Sequence, residues 1–199
     1  MPKIVDHEAR KDDLVKSFLD LATKTGLENV SLRGVASHAN VSLRQVQYYF
    51  GSKNALVTSG LDHLTNSSYQ GVAQRLSATD GTKGAIETFT AIFEEAMPTD
   101  EKSKQFHQLS MSYAMLSLTR LEFNDQALLE GANRLQNRIE EVLIKGIRDG
   151  ELNRDINIKS EAILLLGLIN GLGTAVLLGQ QMVESAMESF LYHVDKLKK

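Results

Sequence analysis

The sequence has 199 residues, 42% of them hydrophobic and 24% charged, with a net charge of −3 and no cysteine. Such a chain can form one large domain or a small one joined to a larger, with a real apolar core, and without cysteine it has no disulfide, thiolate zinc site or cysteine nucleophile. The charge divides unevenly: residues 1–60 carry 8 Lys+Arg and 6 Asp+Glu, net +2, and residues 61–199 carry 14 and 19, net −5, compatible with a basic-faced head on an acidic body.

Met1 is followed by a charged segment rather than an apolar signal core, so a cytoplasmic address is expected. Prolines occur only at positions 2 and 98, so nearly everything between them can be helix. Leu14, Phe18, Leu21 and Ala22 lie on one face of a first helix, which Gly26 stops. Ser31 is placed to cap a short second helix carrying Leu32, Val35 and Ala36. His38 to Val41 reads as a tight turn, because Asn40 tolerates the left-handed backbone a helix C-terminus wants. Ser42 caps a third helix, Leu43 to Phe50, ended by Gly51, and Ser52 opens a fourth running toward Ala78.

Further breaks are expected at Asp80-Gly81, Pro98-Thr99, Asn124-Asp125 and Gly150, followed by an apolar helix over Ser160–Gly179 and a last helix over Glu184–Leu197. The pattern predicts an all-α protein of about nine helices, with no strand and no repeat. Ala162 to Leu178 is the one membrane suspect; it is interrupted by Asn170 and several glycines, and a span needs about 20 predominantly apolar residues. A buried helix is expected there, and no membrane partner.

Two short helices joined by a tight turn and held by a preceding helix describe a helix-turn-helix. Its second helix places one face in the major groove of DNA. On Leu43 to Phe50 the residues Leu43, Val46 and Phe50 face a small core, while Arg44, Gln45 and Tyr48 share the other side. A guanidinium pairs bidentately with guanine, an amide offers a donor and an acceptor to adenine, and a phenol donates to phosphate. Ser31 and Ser42 stand at helix N-termini, where free amides and small hydroxyls grip phosphate, and Lys53 adds a cation.

The run SLRGVASHANVSLRQVQYYFGSKNAL, Ser31 to Leu56, resembles the DNA-binding signature of the TetR-type repressors. It shares a capping hydroxyl, a Val-Ala pair, a Val-Ser turn exit, an aromatic-Phe pair, then Ser-Lys and a leucine. The resemblance covers a quarter of the chain once the first helix is included. It implies a bacterial homodimer with a three-helix head and a larger helical ligand-binding body. It also implies phosphate or base roles for Ser31, Arg33, Ser42, Arg44, Gln45, Tyr48, Tyr49 and Lys53, with Leu43 and Gln47 completing the candidate DNA-binding set. Many members have Gly where this chain has Asn40 and Tyr where it has Gln47, so the phosphate contact expected at Gln47 falls to Tyr48.

A second stretch, Gly146 to Gly173, is similar to the family's entry into its last two helices, which form the dimer interface. Gly167, Gly171 and Gly173 let another helix approach closely, and the segment is too apolar to face water alone. Leu164, Gly167, Leu168, Gly171, Leu172, Ala175, Met187 and Phe190 are the candidate interface, two helices from each subunit.

The body has no signature of its own. Phe89, Phe93 and Met97 share one helix face, and Phe106, Met111, Tyr113 and Met115 fall on the next. They suit a mostly apolar ligand cavity, with Tyr69, His107, Tyr113 and Asn170 as candidate polar groups; plain core is the alternative. No catalytic or phosphate-cradling motif is present, and the five histidines have no metal spacing, so neither catalysis nor a cofactor or metal is expected.

The domains expected are residues 1–55, a DNA-binding head, and 56–199, a ligand-binding and dimerisation body. The partners are double-stranded operator DNA, a second copy of the chain and an unidentified small-molecule effector. The function expected is a ligand-released repressor; the alternative is a helical dimerisation or adaptor protein that binds no specific DNA.

Overall fold

The computed structural model describes residues 7–77, 84–119 and 126–199. Its helices are α1 (His7–Thr25), α2 (Leu32–His38), α3 (Leu43–Phe50), α4 (Lys53–Ser77), α5 (Ala85–Ala96), α6 (Glu101–Thr119), α7 (Gln126–Arg148), α8 (Ile158–Leu177) and α9 (Val183–Asp195), with a 3-10 turn at Leu27–Asn29. The protein is all-α, as expected; among the described residues β-pairing is limited to one bridge, Leu152 to Lys198. The breaks expected at Asp80-Gly81 and Asn124-Asp125, and the approach of the fourth helix to Ala78, lie outside the described residues.

Local chemistry sets the head's boundaries. Ser31 Oγ accepts from the Gly34 amide at 3.1 Å and Ser42 Oγ from the Gln45 amide at 3.2 Å, each satisfying an orphan donor of a first turn. Asn40 has φ 52 and Gly51 has φ 69, left-handed positions that end α2's turn and α3 without the clash a bulkier side chain would meet. Ser52 Oγ accepts from the Ala55 amide at 3.1 Å and so opens α4.

The chain forms two compact units. The first runs to Leu64 and takes in α6 from Gln108 onward. Leu14, Val15, Phe18, Leu19 and Ala22 on α1 are buried, as are Val35 and Ala36 on α2, Val46 and Phe50 on α3, and Leu56, Val57, Leu61 and Leu64 on α4. Gly60 lets α4 approach α1, since a Cβ there would stand 2.5 Å from Phe18 Cε1. Two histidines brace α1 by way of its carboxylates: His38 to Asp20 at 2.7 Å, and His63 of α4 to Asp12 at 2.8 Å.

The second unit holds Thr65–His107 and the residues from Leu129. Its core joins Phe89, Ile92, Phe93 and Met97 to Ile139, Val142 and Leu143 of α7, Ala162, Leu165 and Ile169 of α8, and Ala186, Phe190 and Val194 of α9. Phe93 and Phe190 stack at 4.3 Å. The chain end closes on the α7–α8 loop, Asn153 donating its amide to the Leu197 carbonyl at 2.9 Å.

One described helix, α8, is apolar and long enough to cross a membrane by length and composition alone. The expectation of a buried helix needs refinement. Ala162, Leu165, Ile169 and Gly173 face the core, but Ile163, Leu164, Gly167, Asn170, Gly171 and Leu178 are exposed.

The braces make the head acid-sensitive. Hydrogen bonds from Lys16 and, for Asp20, from Lys24 and then His38 hold the Asp12 and Asp20 carboxyls below the ordinary 3.8, with His63 adding to the effect at Asp12. Folded-state values below the unfolded ones stabilise above about pH 4 and lose that contribution as the pH falls through the folded values. In thermal unfolding the Asp12→Asn, Asp20→Asn double variant should melt below the wild type at neutral pH. That gap should narrow below about pH 4, where the wild-type carboxyls also become neutral.

Candidate nucleic-acid interface

The head presents a helix whose two sides differ chemically. On α3 Val46 is fully buried and Phe50 nearly so, while Arg44, Gln47 and Tyr48 are exposed and Leu43, Gln45 and Tyr49 half-buried. Tyr48 keeps 73% of its surface in solvent, with its ring edge-to-face on Tyr49. Ser31, Arg33 and Ser42 are exposed as well. Each serine oxygen accepts a cap bond, and its own O–H still has a proton to donate to a phosphate.

Lys53 stands at the first turn of α4, its ammonium donating to the Glu28 carbonyl at 3.1 Å. This bond positions the cation at the start of α4. The charge pattern is one-sided: from Asn29 to Leu61 the chain holds Arg33, Arg44 and Lys53 and no Asp or Glu. Two carboxylates of α1, those of Asp12 and Asp20, instead face its own lysines and the histidines of α2 and α4. A cationic face with base-reading side chains and donor hydroxyls is the chemistry that double-stranded DNA takes.

Residues 14–59 match the sequence profile of the bacterial regulatory proteins, tetR family. Over these residues the chain has the head of a TetR-family regulator. Curated relatives are similar in part: the HTH-type transcriptional regulator BetI of Paraburkholderia phytofirmans is 32% identical over 78 residues, 39% of this chain and 40% of that protein. The BetI of Burkholderia thailandensis is 29% identical over 92 residues, 46% and 47% of the two chains. The chain thus spans under half the length of the curated relatives it matches.

Solved structures share the fold over nearly the whole chain. A TetR transcription regulator of Haloarcula marismortui has a TM-score of 0.80 at 14% identity, covering 96% of this chain and 100% of that one. A protein of Saccharomonospora viridis solved in complex with choline has a TM-score of 0.79 at 19% identity, covering 94% and 96%.

The remaining candidates are dispersed. Phe89, Phe93 and Met97 are fully buried in the second unit's core, and Met97 follows α5 in extended conformation rather than sharing its face. His107 is half-buried and bonds the Ala96 carbonyl at 2.7 Å through Nε2, which must therefore carry the proton. Tyr113 belongs to the first unit, fully buried, its hydroxyl donating to Asn54 Oδ1 at 2.9 Å. Phe106 is half-buried, while Met111 and Met115 are exposed with Leu118 one turn on.

Asn170 lies on the exposed side of α8, not among buried groups. Tyr69 is half-buried, and burial pushes its hydroxyl pKa up against the lowering pull of Arg134 and Arg138. Of the interface candidates, Leu164, Gly167 and Gly171 are exposed and Leu168, Leu172, Ala175 and Met187 half-buried. Phe190, expected at the interface, instead stacks on Phe93 and is fully buried in the core of its own chain.

Side chains that read bases and side chains that grip phosphate should separate on mutation. Arg44→Ala or Gln45→Ala should cost about 1–3 kcal/mol at a preferred sequence and relax the preference. Lys53→Ala should weaken binding to all duplexes alike and lower its salt dependence. Titrations against a preferred and a scrambled duplex at several salt concentrations distinguish the two classes.

Proposed function

We propose that the chain is a ligand-responsive transcriptional repressor that binds a pseudo-palindromic DNA operator as a homodimer. The observation that carries the DNA reading is α3: a capped helix, anchored by Val46 and Phe50, whose outer side offers Arg44, Gln45 and Tyr48 within a stretch, Asn29 to Leu61, that has no Asp or Glu. Arg33, Ser31, Ser42, Tyr49 and Lys53 supply phosphate contacts around it, with Leu43 and Gln47 against the groove. One such helix reads few base pairs, so two heads are needed for a specific site.

The dimer reading is supported by α8. Its exposed apolar stripe includes Ile163 and Leu164, and a Cβ at Gly167 or Gly171 would meet no atom within 4 Å. Those glycines do no packing work inside the chain, yet would let a partner helix approach closely. Gly173 differs, because a Cβ there would stand 2.5 Å from His107 Cε1. Gly171→Leu should leave the chain folded but monomeric in sedimentation, while Gly173→Leu should destabilise the fold itself. Selection from a random DNA pool should then enrich paired half-sites with the wild type and lose the pairing with Gly171→Leu; unpaired sites from the wild type would overturn the homodimer reading.

Control by a small molecule requires that it bind better to a form whose heads do not fit the operator. α4 is the connector, a continuous helix from Lys53 to Ser77. A coupling of about 1–3 kcal/mol would change operator affinity roughly 5–150-fold. Because a protein of the same fold holds choline, quaternary ammonium compounds head the ligands to test, followed by apolar metabolites and aromatic acids. An effector should raise the melting temperature and weaken the operator complex together.

A further inference from the structure

His7 opens α1, 42 positions before Tyr49 in the chain, yet its Nδ1 lies 3.1 Å from the Tyr49 hydroxyl oxygen. The imidazole centroid is 6.1 Å from the Tyr49 ring and 6.3 Å from the Tyr48 ring. The two phenol rings meet edge to face at 5.2 Å. These three rings form one patch at the C-terminal half of α3, and Tyr48 follows Arg44 and Gln45 by one helical turn. His7 is itself exposed.

We infer that His7 is a positioning residue of the DNA interface, and that its proton decides whether the Tyr49 hydroxyl can donate to a DNA phosphate. This rests on the DNA-binding reading of the head. A hydroxyl has one proton. When Nδ1 is bare, the Tyr49 O–H donates to it, and only lone pairs remain to meet a phosphate, which is itself an acceptor. When Nδ1 carries a proton, the imidazole donates into the Tyr49 oxygen and the O–H turns outward to the phosphate.

The doubly protonated ring guarantees the second arrangement and adds a positive charge next to the phosphates, which in turn favours the charged ring. Histidine is the side chain whose ordinary titration falls in the physiological range. DNA binding therefore takes up a proton at His7. Among the described residues, the rings that meet this imidazole are the Tyr48 and Tyr49 phenols of α3. On α1 the charged side chains within a turn are Glu8, Arg10 and Lys11. The other two histidines of the first unit bond carboxylates instead, His38 to Asp20 and His63 to Asp12.

The test is the affinity of the full chain for a mixed-sequence DNA duplex at fixed low salt, from about pH 5.5 to about pH 8.5, a range bracketing the ordinary histidine value. Phosphate contacts need no particular sequence. Wild-type affinity should rise as the pH falls, by up to about tenfold per pH unit where a whole proton is taken up. His7→Gln should flatten that rise, and Tyr49→Phe should reduce it while leaving the His7 charge in place. His7→Lys, a cation throughout the range that can still donate to Tyr49, should hold high affinity at every pH.

His38→Gln and His63→Gln should keep the wild-type slope. A slope that survives His7→Gln, or that disappears with His38→Gln or His63→Gln, overturns the proposal and leaves the DNA-binding reading standing. Absence of DNA binding at every pH overturns both.

Discussion

An eight-residue helix such as α3 does not persist in water on its own, because its nucleation cost outweighs so few hydrogen bonds. Everything the head can do depends on removing that cost. The burial of Val46 and Phe50 supplies most of the stabilisation, at about 1.5–3 kcal/mol for each fully buried large apolar side chain. Ser42 closes one end and Gly51 the other. The helix is thereby rigid although every residue on its outer side is free to be chosen for recognition. That division explains how three adjacent aromatics coexist: Phe50 is inside, Tyr49 half-buried and Tyr48 in solvent.

The electrostatics of the head follow from where its carboxylates are spent. Asp12 and Asp20 face Lys16, Lys24, His63 and His38, so these two acidic residues of α1 brace the fold instead of opposing DNA. The stretch carrying α2 and α3 has cations only. A head with a net charge of just +2 over residues 1–60 can therefore offer a clearly basic face, since charge distribution rather than net charge governs a local field.

In the second unit the same residue type has opposite meanings on one helix. Gly173 is small because His107 occupies the space a side chain would need, and Gly167 and Gly171 face empty space. A chain that keeps small residues where nothing in its own fold demands them has them for an external contact or for none at all. The exposed leucine and isoleucine beside them favour the contact, because their burial against a partner would recover the hydrophobic stabilisation that solvent exposure withholds.

The elements legible in the sequence were those set within a few residues: the serine caps, the Asn40 turn, the Gly26 and Gly51 stops, the inward Val46 and Phe50. Their causes are hydrogen bonds and backbone preferences acting over three or four positions, so the signal and the structure share one length scale. The rest needed the tertiary structure. Phe190 turned inward onto Phe93, Asn170 turned outward, and Met111 and Met115 lay exposed, because a helix's own pattern does not say which neighbour each side will meet. This is most acute for α8, which is apolar nearly all round and so carries no periodic preference for either face. His7 had no local signal at all. Only the packing of α1 against the helix-turn-helix brings its imidazole to a hydroxyl 42 residues away.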